Sequence, residues 1–226
     1  MQKKIYLPLV PALFSGLVAA QEPAPLTIPE RYSYTMGVRL GQLLKGQGIA
    51  QLDINAFAAA IDDVLSGRPL RLSDDEMHAA VADQQRVFAE QRAQRAQANL
   101  QAGQDFLAKN AGRSDIVVQP SGLQYQVLAQ GSGEQASAQD TVRVHYHGTR
   151  IDGSVFDSSV ERGEPAQFSL SAVVPGFREA ISNMRVGDHW RVYLPSTLAY
   201  GERGAGSDIG PNEVLIFEIQ LLEVVR

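Results

Sequence analysis

The sequence predicts an α+β fold, with helices in the first half of the chain and a bent antiparallel sheet wrapped on one short helix in the second. Two observations lead to this prediction. Apolar residues recur at helical spacing as far as about residue 111, and after Pro120 they alternate with polar residues as strands require. We therefore expect a leader at 1–20, short helices at 21–72, a long helix at 73–112 and a sheet domain at 113–226.

The composition limits the classes of function that need to be considered. The chain has 226 residues, a formal net charge of −5 and no cysteine. Disulfides, thiolate catalysis and cysteine-bound zinc are therefore excluded. The sequence pI near 5.4 argues against a nucleic-acid-binding protein, because such proteins usually carry a basic patch.

The first twenty residues have the three parts of a secretory signal peptide. Lys3 and Lys4 precede an apolar segment at 5–18, and small residues at 18–20 suit a cleavage site. The alternative is an uncleaved anchor, but the apolar segment of about 14 residues is short for a membrane span, which needs about 20. We expect export to the periplasm with no stable membrane span after cleavage; secretion or an outer-surface location stays open.

Two short helices are predicted between residues 31 and 65, separated by the glycines near residue 47. Each has one apolar stripe, and two short helices cannot enclose a core on their own. The stripe residues are Met36, Leu40, Leu44, Phe57 and Ile61. We therefore expect the chain to form a homodimer through residues 31–90.

The long helix is predicted from Asp74 to about Ala111. Ser73 and Glu76 have the spacing of a capping box, and the segment would extend about 57 Å at about 1.5 Å per residue. Residues 90–99 have almost no apolar stripe. Such a segment either spans between domains or frays as a solvated stretch; the abundance of strong helix formers favours a spacer helix.

The sheet domain is centred on residues 142–159. Val142, Val144 and Tyr146 alternate with polar residues, and the Asp152-Gly153 pair favours a tight hairpin turn. A helix is expected at 176–185, where apolar residues have helical spacing. The final strand is expected at 214–225, with alternate apolar residues on one face.

Residues 121–226 resemble FKBP-type peptidyl-prolyl cis-trans isomerases. The matching motifs are GLQYQVL at 122–128, VHYHG at 144–148, DGSVFDSS at 152–159, VVPGF at 173–177, AYGERGAG at 199–206 and IGPNEVLIFEIQLL at 209–222. Their order and spacing agree along the whole domain. The N-terminal helices and the long helix resemble the dimerising segment of the Mip-like, periplasmic branch of that family.

The resemblance implies a shallow apolar pocket between the sheet and its helix. The expected catalytic residues are Tyr146, Phe156, Asp157, Tyr200 and Phe217, and the expected substrate-binding residues are Arg162, Val173, Val174, Phe177 and Ile209. By the same resemblance, Phe177 forms the floor, Tyr200 and the Val174 N–H donate hydrogen bonds to substrate carbonyls, and Arg162 and Tyr146 orient Asp157. Neither a cofactor nor a metal is expected.

The function implied is rotation of X–Pro bonds in unfolded or partly folded exported proteins, with macrolide inhibitors as further ligands. Three departures from the family pattern bear on catalytic strength, substrate preference and macrolide affinity: Phe177 instead of tryptophan, Ala166 instead of an aromatic residue, and the charged Asp208. The alternative is a dimeric chaperone that binds apolar segments with little turnover. A surface factor at a host interface is a third hypothesis, on which the sequence is silent.

Several of these residues also have plainer interpretations. Without the resemblance, Phe217, Val173 and Val174 would be assigned to the core. His145 and His147 share a strand face, but no third metal ligand is evident. The serines at 158–159 lie near a histidine in sequence but lack a GxSxG motif, so no catalytic triad is predicted.

Overall fold

The computed structural model describes residues 26–47, 49 and 51–225. The predicted signal peptide at 1–20 lies outside these residues. The chain divides into two compact units between Ile61 and Asp62. Within the described residues, no helix is long and apolar enough to cross a membrane.

The first unit contains helix α1 (Ile28–Gly46) and the start of helix α2 (Ile54–Leu65). Helix α1 begins at a capping box, in which the Thr27 backbone N–H donates to Glu30 Oε2 at 2.7 Å. The two predicted helices are therefore confirmed. No residue of α1 is buried, and Met36 exposes 47% of its surface.

The second unit begins within α2 and contains the long helix α3 (Asp74–Ala111), whose predicted bounds are confirmed. Ser73 caps its N-terminus: Glu76 N donates to Ser73 Oγ at 3.3 Å, and Ser73 N donates to Glu76 Oε2 at 2.8 Å. The helix ends at Gly112.

Seven antiparallel strands follow α3. They are β1 (Val117–Val118), β2 (Gln124–Ala129), β3 (Thr141–Arg150), β4 (Val155–Ser158), β5 (Ala166–Ser169), β6 (His189–Leu194) and β7 (Leu215–Val225). The strand order is β1-β2-β6-β7-β3-β4, and β5 pairs with the first part of β3 on the same edge as β4. This split edge leaves room between β4 and β5 for the short helix α4 (Ser159–Arg162).

Helix α5 (Pro175–Ser182) packs its apolar face into the core that the sheet encloses. Phe177, Ala180 and Ile181 are buried, and the last predicted member of the stripe, Met184, is buried just beyond the helix end. The predicted inward faces of β3 and β7 are also buried. They consist of Val142, Val144, Tyr146, Leu215, Phe217, Ile219 and Leu221. The α+β fold is thus confirmed.

The burial of β2 differs from simple alternation. The polar Gln124 is buried, whereas Val127 exposes 45% of its surface. The C-terminal end of α3 lies over the start of this strand: Asn110 Nδ2 donates to Gln124 Oε1 at 2.9 Å, and Gln124 Nε2 donates to the Leu107 carbonyl at 3.0 Å. Because both polar groups of Gln124 find partners on α3, the glutamine is accommodated in a buried position.

Candidate active site

A cleft of about 330 Å³ opens between the sheet and the start of α5. Its lining is mostly aromatic and aliphatic, with one carboxylate and one exposed tyrosine. The lining residues are Tyr146, Phe156, Asp157, Phe168, Ala172, Val173, Val174, Phe177, Tyr200 and Phe217. A concave apolar pocket with a few polar groups is the usual form of a site for a small or segmental ligand.

The β3–β4 pairing places Phe156 and Asp157 at the cleft. Asp157 pairs with Gly148 across the two strands. The buried Ser159 hydroxyl accepts the Tyr146 backbone N–H at 2.8 Å and donates to the Tyr146 carbonyl at 3.2 Å, which fixes the register. A Cβ at Gly148 would lie only 2.7 Å from the Phe156 ring, so glycine is required for this ring to lie against β3.

Asp157 forms the polar edge of the cleft. The Tyr146 hydroxyl donates to Asp157 Oδ2 at 2.5 Å, and Arg162 forms an ion pair with Oδ1. Arg162 Nη2 also donates to the Tyr146 hydroxyl at 2.8 Å, and its guanidinium lies 5.5 Å from the centre of the Tyr146 ring. Three groups therefore hold one another in place, and both carboxylate oxygens of Asp157 are engaged.

The pKa values of this group of residues follow from the same contacts. Burial alone would raise the pKa of Asp157, but the hydrogen bonds from Tyr146 and Arg162 outweigh it, and the pKa lies below its ordinary value. Burial, reinforced by the bond to Asp157, raises the pKa of the Tyr146 phenol. At neutral pH the pair is thus a phenol donating to a carboxylate, and Asp157 is unsuited to act as a general acid.

Phe177 lines the cleft and is packed by rings on several sides. Its ring centre lies 5.2 Å from that of Phe217, 5.9 Å from Phe168 and 6.2 Å from Tyr146, all edge to face. Phe156 meets Phe217 at 5.4 Å in the same geometry. Such edge-to-face packing fixes each ring more firmly than area burial alone would.

The opposite side of the cleft is less enclosed. Val174 is the N-cap residue of α5, with Pro175 at the first helical position. Tyr200 lies just before a short 3₁₀ turn at Gly201–Arg203 and exposes 41% of its surface. The phenol of Tyr200 is therefore accessible to a ligand in the cleft.

Eight of the ten residues expected from the resemblance line this cleft. Arg162 lies behind it, in contact with Tyr146 and Asp157. Ile209 is 7% exposed and belongs to the hydrophobic core, with its backbone paired to Ala205, so it also lies outside the lining.

Two lining residues, Phe168 and Ala172, were not anticipated from the sequence. Phe168 follows Ala166 by two positions on β5, and both are partly buried on the same strand face. Strand alternation was thus the signal that could have identified it. The Phe168 ring, 5.6 Å from that of Tyr146, supplies an aromatic wall beside the small Ala166.

The other polar candidates contribute to local structure. His145 Nδ1 lies 3.2 Å from Ser159 Oγ, and His147 Nδ1 lies 3.0 Å from Ser158 Oγ. Ser158 also caps α4 by accepting Glu161 N at 3.1 Å. Both serine hydroxyls are therefore engaged in holding β4 and α4 against β3. In the part of the chain that the structure describes, no three His, Asp or Glu side chains form a metal-binding group.

Comparisons with known proteins agree with this geometry. Residues 132–222 match the family model described as FKBP-type peptidyl-prolyl cis-trans isomerase, and residues 29–127 match the domain amino-terminal to it. The chain is 43% identical to the FKBP-type 22 kDa peptidyl-prolyl cis-trans isomerase of Escherichia coli, over 88% of this chain and 97% of that protein. It is 40% identical to the outer membrane protein MIP of Legionella longbeachae, over 95% and 94% of the two chains.

A solved structure shows the same likeness. The crystal structure of FkpA from Escherichia coli matches with a TM-score of 0.62 and 33% identity, over 88% of this chain and 97% of that one. Sequence motifs, the cleft and its relatives lead to one assignment. The chain belongs to the family of FKBP-type peptidyl-prolyl cis-trans isomerases.

Proposed function

We propose that the cleft bounded by Asp157, Phe177 and Tyr200 accelerates rotation about X–Pro bonds in unfolded or partly folded exported proteins. The observation that carries this proposal is the convergence of eight expected residues around one apolar cleft of about 330 Å³. A proline ring and its neighbouring side chain are of a size that such a cleft accommodates.

The mechanism is non-covalent. Rotation about an X–Pro bond faces a barrier of roughly 20 kcal/mol, because amide resonance must be broken. The twisted amide has less charge separation than the planar one, so a cleft with apolar walls favours it over the ground state. Contacts accelerate the reaction only when they are tighter in the twisted state. No bond is made or cleaved, and the mechanism needs neither a nucleophile nor a cofactor.

Each group has a proposed role in this mechanism. Phe177 and Phe217 contact the proline ring, and Phe156 and Val173 enclose its neighbours. The Tyr200 hydroxyl and the Val174 N–H donate hydrogen bonds to substrate carbonyls, which holds the peptide while the amide turns. Asp157, held by Tyr146 and Arg162, supplies the fixed polar edge. Ile209 lies in the core and supports the residues that bind the substrate. Macrolide inhibitors would occupy the same cleft.

The test is the cis-to-trans relaxation of a short peptide with an apolar residue before proline. We expect micromolar protein to accelerate it, and Asp157→Ala to lower kcat/KM about tenfold, since the polar edge would be lost. Glu164→Ala is the matched control, because Glu164 is an exposed carboxylate on the nearby turn before β5. No acceleration by folded wild-type protein would refute the proposal.

We also propose that the protein acts in the periplasm. The support is the signal-like segment at 1–20 and the name of the Legionella longbeachae relative as an outer membrane protein. Fractionation of cells that express the full chain would test this. Recovery of an uncleaved chain in the cytoplasm would contradict it.

We further propose a homodimer formed through residues 31–90. The support is the amino-terminal family domain and the exposed apolar residues of α1, which include Met36 and Leu43. Sedimentation of the mature chain should give a dimer, and Leu40→Asp should dissociate it, whereas Gln42→Asp on the same helix should not. A monomer at all concentrations would contradict the proposal.

A chaperone function is a second candidate, favoured by further exposed apolar residues at Leu65, Leu70 and Leu72. It is distinguished from catalysis by a client without proline. Suppression of that client's aggregation that persists in Asp157→Ala would favour chaperone binding. Loss of suppression in the same variant would assign client binding to the cleft.

A further inference from the structure

The loop at 199–213 joins Tyr200 of the cleft to the start of β7, and α3 holds it through polar contacts. Arg92 Nη2 donates to the carbonyls of Glu202 at 3.1 Å and Arg203 at 2.7 Å. Asn99 Nδ2 donates to the Pro211 carbonyl at 2.8 Å. These are side-chain bonds to backbone carbonyls, so they fix the path of the loop whatever its side chains are.

The contact points share one face of α3. Residues 95 and 96 each lie three or four positions from residue 92 and from residue 99, which places all four on one side of the helix. The bonding also runs in the other direction, since Asn212 Nδ2 donates to the Ala96 carbonyl at 3.3 Å. Residues 90–99, which lack an apolar stripe, therefore have a row of polar contacts with the loop on one side of the helix.

An acidic group anchors the end of the loop. Glu213 has a side chain that is 11% exposed, and it lies between two arginines, with Arg95 at 3.6 Å and Arg150 at 3.4 Å. The approach of helix and loop is close: a Cβ at Gly210 would lie 3.2 Å from Arg95 Nε and 3.3 Å from Asn99 Nδ2. A side chain at position 210 would displace the ends of Arg95, Asn99 and Glu213, whose Oε1 would lie 2.9 Å from that Cβ.

The loop has few internal restraints of its own. Ala205 and Ile209 exchange two backbone hydrogen bonds, and Asn212 N donates to the Gly201 carbonyl at 2.8 Å. Asn212 has a φ of 56°, a left-handed conformation that asparagine tolerates better than most residues. The middle of the loop is held by the burial of Ile209 in the hydrophobic core, by Ala205 packed against that core, and by Arg150 Nε of β3, which donates to the Asp208 carbonyl at 2.8 Å.

We propose that Arg92 and Asn99 of α3 are positioning residues for the isomerase site, holding the 199–213 loop so that Tyr200 stays over the cleft. The proposal rests on the proposed role of Tyr200. Neither residue lines the cleft, and each acts by keeping the loop in its binding-competent arrangement. When only a fraction of molecules has that arrangement, the apparent affinity for substrate falls to that same fraction of its full value.

The experiment compares full mature chains that carry Arg92→Ala, Asn99→Ala or Arg92→Lys. Arg86→Ala is the matched control, because Arg86 is an exposed arginine of the same helix that forms an ion pair with Asp83 at 3.1 Å, one turn along α3. We expect Arg92→Ala to raise KM for a proline peptide about tenfold while kcat changes less than about twofold. Arg92→Lys, which retains a donor, should recover part of the affinity.

A second readout is amide hydrogen exchange. In Arg92→Ala the amides of Ile209 and Asn212 should exchange about tenfold faster, while those of β3 and β7 stay unchanged, because only the loop is released. Alanine favours helix at either position, and Asn99→Ala carries the test if one variant fails to fold.

The outcomes distinguish a failure of this proposal from a failure of the proposed isomerase activity of the cleft. Unchanged KM and unchanged loop exchange in folded Arg92→Ala and Asn99→Ala would overturn the positioning role, even if Asp157→Ala is inactive. A lower Tm with unchanged KM would also overturn it. If wild-type protein lacks isomerase activity, faster hydrogen exchange of the loop amides in Arg92→Ala still supports the inference that α3 holds the 199–213 loop. Unchanged exchange overturns it.

Discussion

The two sides of the cleft are held by different forces. On one side, Tyr146, Phe177 and Phe217 are buried and packed edge to face within the core of the sheet domain. On the other, Tyr200 is 41% exposed on a loop that α3 contacts through hydrogen bonds and through the ion pair of Arg95 with Glu213. One wall is thus a product of hydrophobic packing, and the other depends on polar contacts with a helix outside the sheet.

This difference has a consequence for how the site can vary. Packed aromatic rings cannot move without creating a cavity or a clash, so the first wall keeps its shape as long as the domain is folded. A net hydrogen bond contributes only about 1 kcal/mol, so the second wall can open locally while the rest of the domain stays intact. Substitutions at the 199–213 loop can therefore alter substrate binding with a smaller loss of stability than substitutions in the sheet.

Truncation of one aromatic residue in each wall should give the largest contrast. Phe217→Ala should lower the free energy of unfolding by about 3–5 kcal/mol, since Phe217 is 6% exposed and its loss leaves a cavity. Tyr200→Ala should lower it by less than about 1 kcal/mol, because the exposed ring fills no core space. Urea unfolding of both variants measures this. Equal losses would contradict the distinction between the walls.

Removing the Tyr146 hydroxyl should have an intermediate effect on the free energy of unfolding, because only the contacts of the polar edge are lost. Tyr146→Phe keeps the ring and its packing but removes the bonds to Asp157 and Arg162. We expect a loss of about 1–3 kcal/mol in unfolding free energy, the range for hydrogen bonds with charged partners. Tyr125→Phe, on β2 and outside the lining of the cleft, is the control. An unchanged midpoint in Tyr146→Phe would show that this edge adds no stability.

Asp157 should make the stability of the polar edge of the cleft dependent on pH. Its folded-state pKa is lowered, so its contribution to stability is present above the unfolded pKa of about 3.9 and is lost as pH falls through the folded value. Activity should therefore be flat between about pH 5 and 8. Asp157→Asn should reduce the loss of stability at acid pH without abolishing it, because other carboxyls, such as Asp63 and Asp115, also have lowered pKa values; urea titrations at several pH values would detect the change. A transition of activity near neutral pH that disappears in Asp157→Asn would contradict this assignment.

Sequence reasoning worked best where packing imposes a period. The strands β3 and β7 and the helix α5 were predicted because one face of each is buried, and burial leaves a regular apolar pattern. The start of α3 was predicted from the capping box at Ser73, because that motif consists of hydrogen bonds between residues close in sequence. The residues of the cleft came from the family resemblance, and periodicity alone would have assigned several of them to the core.

Polar contacts between distant segments could not be predicted in this way. Arg92 and Asn99 lie more than one hundred positions from their partners in the loop, and a hydrogen bond to a backbone carbonyl places no demand on the partner's side chain. The burial of Gln124 could not be predicted for a related reason, since it depends on one donor and one acceptor of α3, the Asn110 amide and the Leu107 carbonyl. Phe168 was overlooked although strand alternation placed it beside Ala166.

The smallest effect should come from enlarging the floor. Phe177→Trp adds an indole N–H and more apolar surface at a lining position that is 4% exposed and packed against three rings. We expect affinity for a proline peptide to rise about threefold, at a cost in stability of about 1–3 kcal/mol because the larger ring must be fitted among its neighbours. Isothermal titration and urea unfolding measure the two quantities. Weaker binding would show that the phenyl floor is already matched to the substrate.

Native-state hydrogen exchange of the wild-type chain tests the contrast between the two walls most directly. The amides of Tyr146 and Ile219 lie on paired strands of the core, whereas those of Ile209 and Asn212 bond within the 199–213 loop. The account predicts that the strand amides exchange only through global unfolding and the loop amides through local opening at much lower free energy. Loop amides as strongly protected as the strand amides would show that both walls are equally rigid, and would contradict the account.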